Sequence, residues 1–304
     1  MATYHSGEVA VQERAGLRQY AEMALGGIGS TVPDIAAEFL LQQPMVVLGA
    51  ADEAGRMWAT VLAGEPGFLR AVNPITLTVD ARPAADDPLA GVLAATARVG
   101  MIAIEPANRR RMRINGLAHP TRNGLQVDLH QVIANCPKYI QKRDFTLLPP
   151  DEQAPRSTTT GTALTPDQQS AVGGADTFFV ATASPEGDAD ASHRGGSTGF
   201  VQVLSPTHLR WPDYVGNAMF LTLGNLALNP AAGLVFPDWR TGTLLHVTGS
   251  AHTDWDADSA AQVPGAQRLV DFHVSEVREV RGAVPLRWTD PVFSRFNPPV
   301  PTGS

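Results

Sequence analysis

The sequence predicts a mainly β protein with flanking helices, built as two tandem small barrels that form a pseudo-dimer within one chain. Three observations carry this expectation. The first is an internal duplication, in which residues 44–120 align with 176–253. Met45-Val-Val-Leu-Gly-Ala-Ala-Asp-Glu-Ala-Gly55 lies beside Thr177-Phe-Phe-Val-Ala-Thr-Ala-Ser-Pro-Glu-Gly187 at an offset of 132 residues. Val99-Gly100 and Asn115-Gly116-Leu-Ala-His119 then meet Ala232-Gly233 and Thr248-Gly249-Ser-Ala-His252 at an offset of 133, one residue of slip. The second is a run of short apolar, β-branched segments broken by Gly, Pro and Asp turns, which reads as antiparallel strands. The third is that each repeat holds only one helical stretch, as expected of a small antiparallel barrel.

The elements follow in order. Glu8–Leu25 reads as a helix stopped by Gly26-Gly27, and Thr31–Leu41 as a second helix with Pro33 in its first turn. Met45–Ala50 is a strand entering the hairpin turn Asp52-Glu-Ala-Gly55. Pro88–Ala97 supplies the helix of the first repeat, and Asp128–Asn135 reads as another short helix. Residues 150–163 lack apolar periodicity and form a linker. It separates a first domain, 1–149, of N-terminal helices and one barrel from a second domain, 164–304. Thr165 caps a new helix with Pro166 at its first position. Thr177–Ala183, Phe200–Leu204, Leu234–Phe236 and Leu244–Val247 are strands around a helix at 217–228 that Asn229-Pro230 ends. Leu269–Val280 is a long strand, and the tail from Pro298 is frayed.

Composition narrows the function classes. Charged residues are 17% and the net charge is −7, so no general attraction to nucleic acid or anionic membrane is expected. So little charge points to surface covered by a partner, hence a homodimer. The single cysteine, Cys136, excludes an intrachain disulfide, and eight scattered histidines lack metal-ligand spacing, so no metal is expected. No secretory signal or membrane span is visible, which makes the chain a cytoplasmic candidate.

Standard catalytic motifs are absent. Gly195-Gly-Ser197-Thr-Gly199 matches the letters of a nucleophile elbow, but a strand rather than a helix follows it. Ser192-His193-Arg194-Gly195-Gly196 places a cation beside glycines that allow close backbone approach to a ligand. Gly216-Asn217 and Gly224-Asn225 bracket a helix start, where backbone N–H groups favour an anion. The first repeat lacks the Gly216-Asn217 equivalent but carries Arg109-Arg-Arg111-Met-Arg113, which aligns with Gly242-Thr-Leu244-Leu-His246. The halves thus specialise in complementary ways, which fits one asymmetric anion site per pair of barrels.

These residues, with Pro212-Asp-Tyr, Asn229-Pro and the first-repeat segment Asn135-Cys-Pro-Lys138-Tyr, resemble the pyridoxamine 5′-phosphate oxidase-like flavin-binding split-barrel family, in particular its two-repeat members. The resemblance implies a six-stranded split barrel paired with a second one, and FMN in the groove between them. It implies cofactor contacts from His193, Arg194, Gly195, Gly196, Gly216, Asn217, Thr222, Gly224 and Asn225, with Arg109, Arg111 and Lys138 from the other barrel. Where the oxidase has Ser-Arg-Lys this chain has Thr222-Leu223-Gly224, which removes a basic clamp and puts vitamin B6 oxidation in doubt. The reading is an FMN-dependent oxidoreductase acting on an unidentified small molecule, with NAD(P)H as a possible electron donor. The alternatives are a non-enzymatic flavin or haem protein, with His193, His246 or His252 as axial ligand, and an F420-dependent reductase.

Overall fold

The computed structural model describes residues 3–299; residues 300–304 of the tail lie outside the described residues. The first half contains α1 (Ser6–Arg14), α2 (Arg18–Ala24), β1 (Ile28–Gly29), α3 (Asp34–Leu41), β2 (Met45–Ala51) and β3 (Met57–Ala63). It continues with β4 (Leu69–Asn73), β5 (Thr76–Val79), β6 (Ala97–Glu105), β7 (Arg110–Pro120), β8 (Leu125–Ala134) and β9 (Phe145–Leu147). The second half contains β10 (Ser157–Gly161), α4 (Pro166–Gly174), β11 (Thr177–Ala183), β12 (Ala189–Gly195), β13 (Gln202–Ser205) and β14 (His208–Tyr214). It ends with α5 (Leu221–Leu228), β15 (Ala231–Pro237), β16 (Leu244–Asp254), α6 (Ala257–Ala261), β17 (Ala266–Arg281) and β18 (Leu286–Trp288).

The two halves have the same strand diagram. One antiparallel sheet runs β3-β2-β6-β7-β8-β5-β4 with β1 added on β8; the other runs β12-β11-β15-β16-β17-β14-β13 with β10 added on β17. Even the irregularities correspond. A bulge between Asn115 and Gly116 recurs between Thr248 and Gly249. Only glycine fits there, because a Cβ would overlap the carbonyl oxygen of Asp128 in one sheet and of His273 in the other.

The halves face each other through the β2–β3 and β11–β12 hairpins. Gly49 of β2 lies directly against Ala181 of β11, and these are equivalent positions, so a pseudo-twofold axis passes between them. Gly100 abuts the backbone of Asp190, and its counterpart Gly233 abuts the backbone of Met57 and Trp58. Apolar side chains fill the space around the axis, among them Met45, Val47, Ile102, Phe179 and Val235. Each sheet also closes over its own core. In the second, Phe178 packs against Phe200, Trp211 and Phe236 at ring separations of 5.8, 5.1 and 5.1 Å. Full burial of such side chains stabilises by about 1.5–3 kcal/mol each. The small β9–β18 sheet joins the end of the first half to the end of the second.

Several elements differ from the sequence expectation. Asp128–Asn135 is not a helix: all but Asn135 belongs to β8, where Leu125, Val127 and Leu129 are buried at every second position, the period of a strand. Pro88–Ala97 forms only a 3-10 turn over Val92–Ala94, because Gly91 weakens a helix and β6 already begins at Ala97. The helix expected over 217–228 starts at Leu221; Ala218 and Phe220 have φ of 61° and 56°, outside the helical region. The first helix is broken in two at Gly16, φ 68°, and Pro33 is the N-cap of α3 rather than part of its first turn. Residues 150–163 hold a 3-10 turn and the exposed edge strand β10, paired with Arg281 to Val277. Each sheet has eight strands rather than six, counting β1 and β10. Thr165 does cap α4, in a capping box with Gln168.

Candidate functional site

A cleft opens where β12, β14 and the start of α5 face β7 and the 135–139 segment of the other half. It measures about 1060 Å³, counting the solvent at its mouth. Alternation along β7 sets one of its walls. In β7 every second side chain is buried in the first sheet's core, which turns Arg111 and Arg113 the other way, toward β12.

The charges there are unbalanced. Arg113 pairs with Asp190 at 3.0 Å and donates to Ser192 Oγ at 2.7 Å. Arg194 Nη1 donates to the same Ser192 Oγ at 2.6 Å. Arg268 of β17 lies 3.6 Å from Asp213 and stacks on Phe220 and Trp255. Among the described residues Arg111 has no carboxylate partner; its Nη1 donates to His193 Nδ1 at 2.8 Å. Four guanidinium groups thus share two carboxylates. Burial, with Arg113 and Arg194 nearby, pushes Arg111 down to about 9, still cationic at neutral pH. Burial lowers Arg194 and raises the carboxyl of Asp213, whose charge Arg194 and Arg268 partly restore.

The Arg111 contact fixes the state of His193. A guanidinium can only donate, so Nδ1 accepts and the proton sits on Nε2. Burial and then Arg111, Arg194 and Arg113 hold His193 well below its ordinary range, so the ring is neutral. Its Nε2–H is buried and has no partner among the described residues. The same holds for Thr222 Oγ1, Arg111 Nε, Arg113 Nε and two nitrogens of Arg268. Buried donors left unpaired cost about 1–3 kcal/mol each. Here they converge on one cleft beside the uncapped first turn of α5, which also favours negative charge. Chemically, the site is made to take an anion with several acceptor oxygens.

Eight of the residues singled out in the sequence line the cleft: His193, Arg194, Gly195, Gly216, Asn217, Thr222, Arg111 and Lys138. Four lie elsewhere. Gly196 packs on Phe200. Gly224 is needed because α1 crosses α5 there, against Glu8. Asn225 bonds His5 Nε2 and donates to Thr182 Oγ1, both at 3.0 Å. Arg109 donates to the carbonyls of Ile140 and Val292, holding the C-terminal segment. Ser197 Oγ donates to the Pro298 carbonyl and precedes β13, so no nucleophile elbow forms. No tryptophan lines the cleft. Reading motifs missed Arg268, whose partner Asp213 is distant in sequence, and gave no role to Tyr139, which stacks on Tyr214 at 5.1 Å and donates to the Val215 carbonyl.

Residues 164–284, which supply most of this cleft, match the family model described as pyridoxamine 5′-phosphate oxidase. That match covers less than half of the chain and falls within its second half. No curated protein matches the chain. Among solved structures, a Lactobacillus delbrueckii protein provisionally described as a pyridoxamine 5′-phosphate oxidase is 22% identical, covering 38% of this chain and 93% of its own, with a TM-score of 0.33. Group A Streptococcus HupZ is 12% identical over 37% of this chain and 90% of its own, TM-score 0.31. A conserved Corynebacterium diphtheriae protein of unknown function is 11% identical over 40% and 98%, TM-score 0.30. Among the described residues no helix is long and apolar enough to cross a membrane.

Proposed function

We propose that the chain binds one FMN in this cleft and acts as an FMN-dependent oxidoreductase on a small molecule. The observation that supports this best is the set of buried, unpartnered donors on Arg111, Arg113, His193, Thr222 and Arg268, all around one cleft. A phosphate monoester fits them: it is dianionic, and four guanidiniums against two carboxylates leave a comparable positive excess. Arg111, Arg113 and Arg194 would hold the phosphate, with Thr222 and the first turn of α5 donating to its oxygens. The neutral Nε2–H of His193 would donate without adding charge. When bound, the flavin supplies hydride or one-electron chemistry, and the protein supplies position and electrostatics.

The haem reading finds less support. His193 carries its proton on Nε2, which is buried without a partner among the described residues, and Arg111 occupies the other nitrogen. His246 is fully buried, with Nδ1 donating to the Ala59 carbonyl, and does not line the cleft. The absorbance spectrum of the purified, FMN-incubated protein tests the assignment: two oxidised-flavin bands are expected. A Soret band or a single deazaflavin band would replace it with haem or F420. Riboflavin should bind about ten- to a hundredfold more weakly than FMN, since it lacks the charge-assisted phosphate contacts. Equal binding of the two would reject the phosphate role of the arginines.

A further inference from the structure

A second cavity of about 890 Å³, counting open solvent, lies behind the arginine cleft, and its polarity is reversed. The two share Leu221 and meet at one ion pair, in which Arg113 faces the cleft and Asp190 faces the second cavity. No lysine or arginine lines the second cavity, whereas Glu8, Glu186, Asp188 and Asp190 do. Two of these are already neutralised, Asp190 by Arg113 and Asp188 by Arg98. Glu186 sits on an exposed turn.

Glu8 differs from the others. It is 6% exposed, and it is held rigidly. Its Oε2 accepts from the His5 backbone N–H at 2.8 Å, closing the capping box of α1. Gly7 and Gly224 bring α1 and α5 into direct backbone contact around it. Oε1 is different: among the described residues no hydrogen bond reaches it, and the nearest polar group is His5 Nε2 at 3.6 Å. That imidazole is engaged elsewhere. Its Nδ1 accepts from the Gly7 N–H, so Nε2–H donates to Asn225 Oδ1 at 3.0 Å. Glu8 is buried as a residue, but Oε1 itself opens onto the polar cavity with no donor from the protein, so a ligand in the cavity can supply one.

We infer that this cavity binds a small organic cation, such as a protonated amine, and that Glu8 Oε1 is the carboxylate oxygen that receives it. The titratable and charged groups facing Glu8 are His5 on its own helix, Asp190 from β12, Arg113 from β7, Glu186 and Asp188 from the β11–β12 turn, and His130 from β8. Burial chiefly, with Asp190 adding, raises Glu8 to about 7, against the His5 N–H and Arg113. A bound cation would favour the ionised form, so cation binding releases a proton from Glu8 below that pH. The inference concerns binding in this cavity and stands apart from the identity of whatever fills the arginine cleft.

The test uses the full chain without flavin and benzylamine as probe, with benzyl alcohol and benzoate as neutral and anionic controls, followed by calorimetry or ligand-observed NMR. Benzylamine should bind at least tenfold more tightly than either control at pH 8, and about tenfold more weakly at pH 6 than at pH 8. Glu8→Gln keeps the capping box, because Gln serves at that position as Glu does. It should weaken benzylamine about ten- to a hundredfold, flatten its pH profile and leave FMN affinity unchanged. The wild-type comparison of amine with alcohol needs no variant, so a folding defect in Glu8→Gln cannot mask the answer. Benzylamine binding no tighter than benzyl alcohol, or an unchanged affinity and pH profile in folded Glu8→Gln, would overturn the inference. Loss of FMN binding alongside intact amine binding would count against the flavin assignment and leave this one standing.

Discussion

The two halves share one strand diagram and meet at two equivalent places, yet one of these is a cleft and the other a packed core. His193 and Arg194 of β12 correspond to Val61 and Leu62 of β3. Arg111 and Arg113 of β7 correspond to Leu244 and His246 of β16, and Asp190 corresponds to Trp58. Val61, Leu62, Leu244, His246 and Trp58 are all buried. Where the cleft has guanidiniums short of partners, its counterpart has close-packed apolar side chains and a neutral histidine bonded to a carbonyl. A duplication makes two chances at a site. Here one half of each pair of walls stays polar and the matching half becomes hydrophobic. The fold is kept by the glycine contacts and bulges on both sides of the axis, and the binding chemistry is kept on one side only.

The largest expected effect tests the side that became core. Leu244→Arg places in the second half the residue that the first half has at Arg111, but with no room or partner for it. It should destabilise the protein by about 3–5 kcal/mol in chemical unfolding, the cost of an unpaired buried charge. A near-neutral result would mean that the second position is still an open cleft. Next come the axis contacts. Gly100→Ala and Gly233→Ala each force a Cβ into the opposite hairpin's backbone, and both should cost about 1–3 kcal/mol. A large effect at one and none at the other would break the pseudo-symmetry.

Glu8 gives a smaller, pH-dependent effect. Its folded-state pKa, about 7, lies above the ordinary carboxylate value, so the folded state binds more protons than the unfolded chain between roughly pH 4.5 and 7. Stability from this group is present at low pH and is lost as pH rises through 7. Glu8→Gln should therefore match wild type near pH 4 and exceed it at pH 8, by up to about 3 kcal/mol. Equal stability at both pH values would show that Glu8 is not held protonated by burial. Smallest in stability is Arg111→Ala. Removing one of several crowded cations should leave the ligand-free melting temperature unchanged or raised, while FMN affinity falls about ten- to a hundredfold. A coupled loss of both would make Arg111 a structural residue.

Much of this was legible in the sequence, for reasons that can be named. The duplication was readable because Gly100, Gly116, Gly233 and Gly249 are fixed by backbone contacts, and their spacing survives where side chains diverge. The exchange of Arg111 and Arg113 for Leu244 and His246 was visible in the same alignment. The strand β8 was hidden because its polar face, Gln126, Asp128 and His130, reads equally well as helical. Gly224 and Asn225 looked like ligand residues because small and amide side chains serve packing and binding alike; only the crossing of α1 over α5 separates the two. Arg268 had no local signal, since its partners Asp213 and Phe220 come from other elements. Glu8 was legible only as the start of a helix, because its burial depends on Gly224, more than two hundred residues away.

The central claim is that two equivalent halves make one anion-binding cleft, and stoichiometry tests it most directly. Titrating the purified chain with FMN and following the quenching of flavin fluorescence should give saturation at one FMN per chain. Saturation at two per chain would contradict the asymmetry, and no binding would contradict the assignment of the arginine cleft to a flavin phosphate.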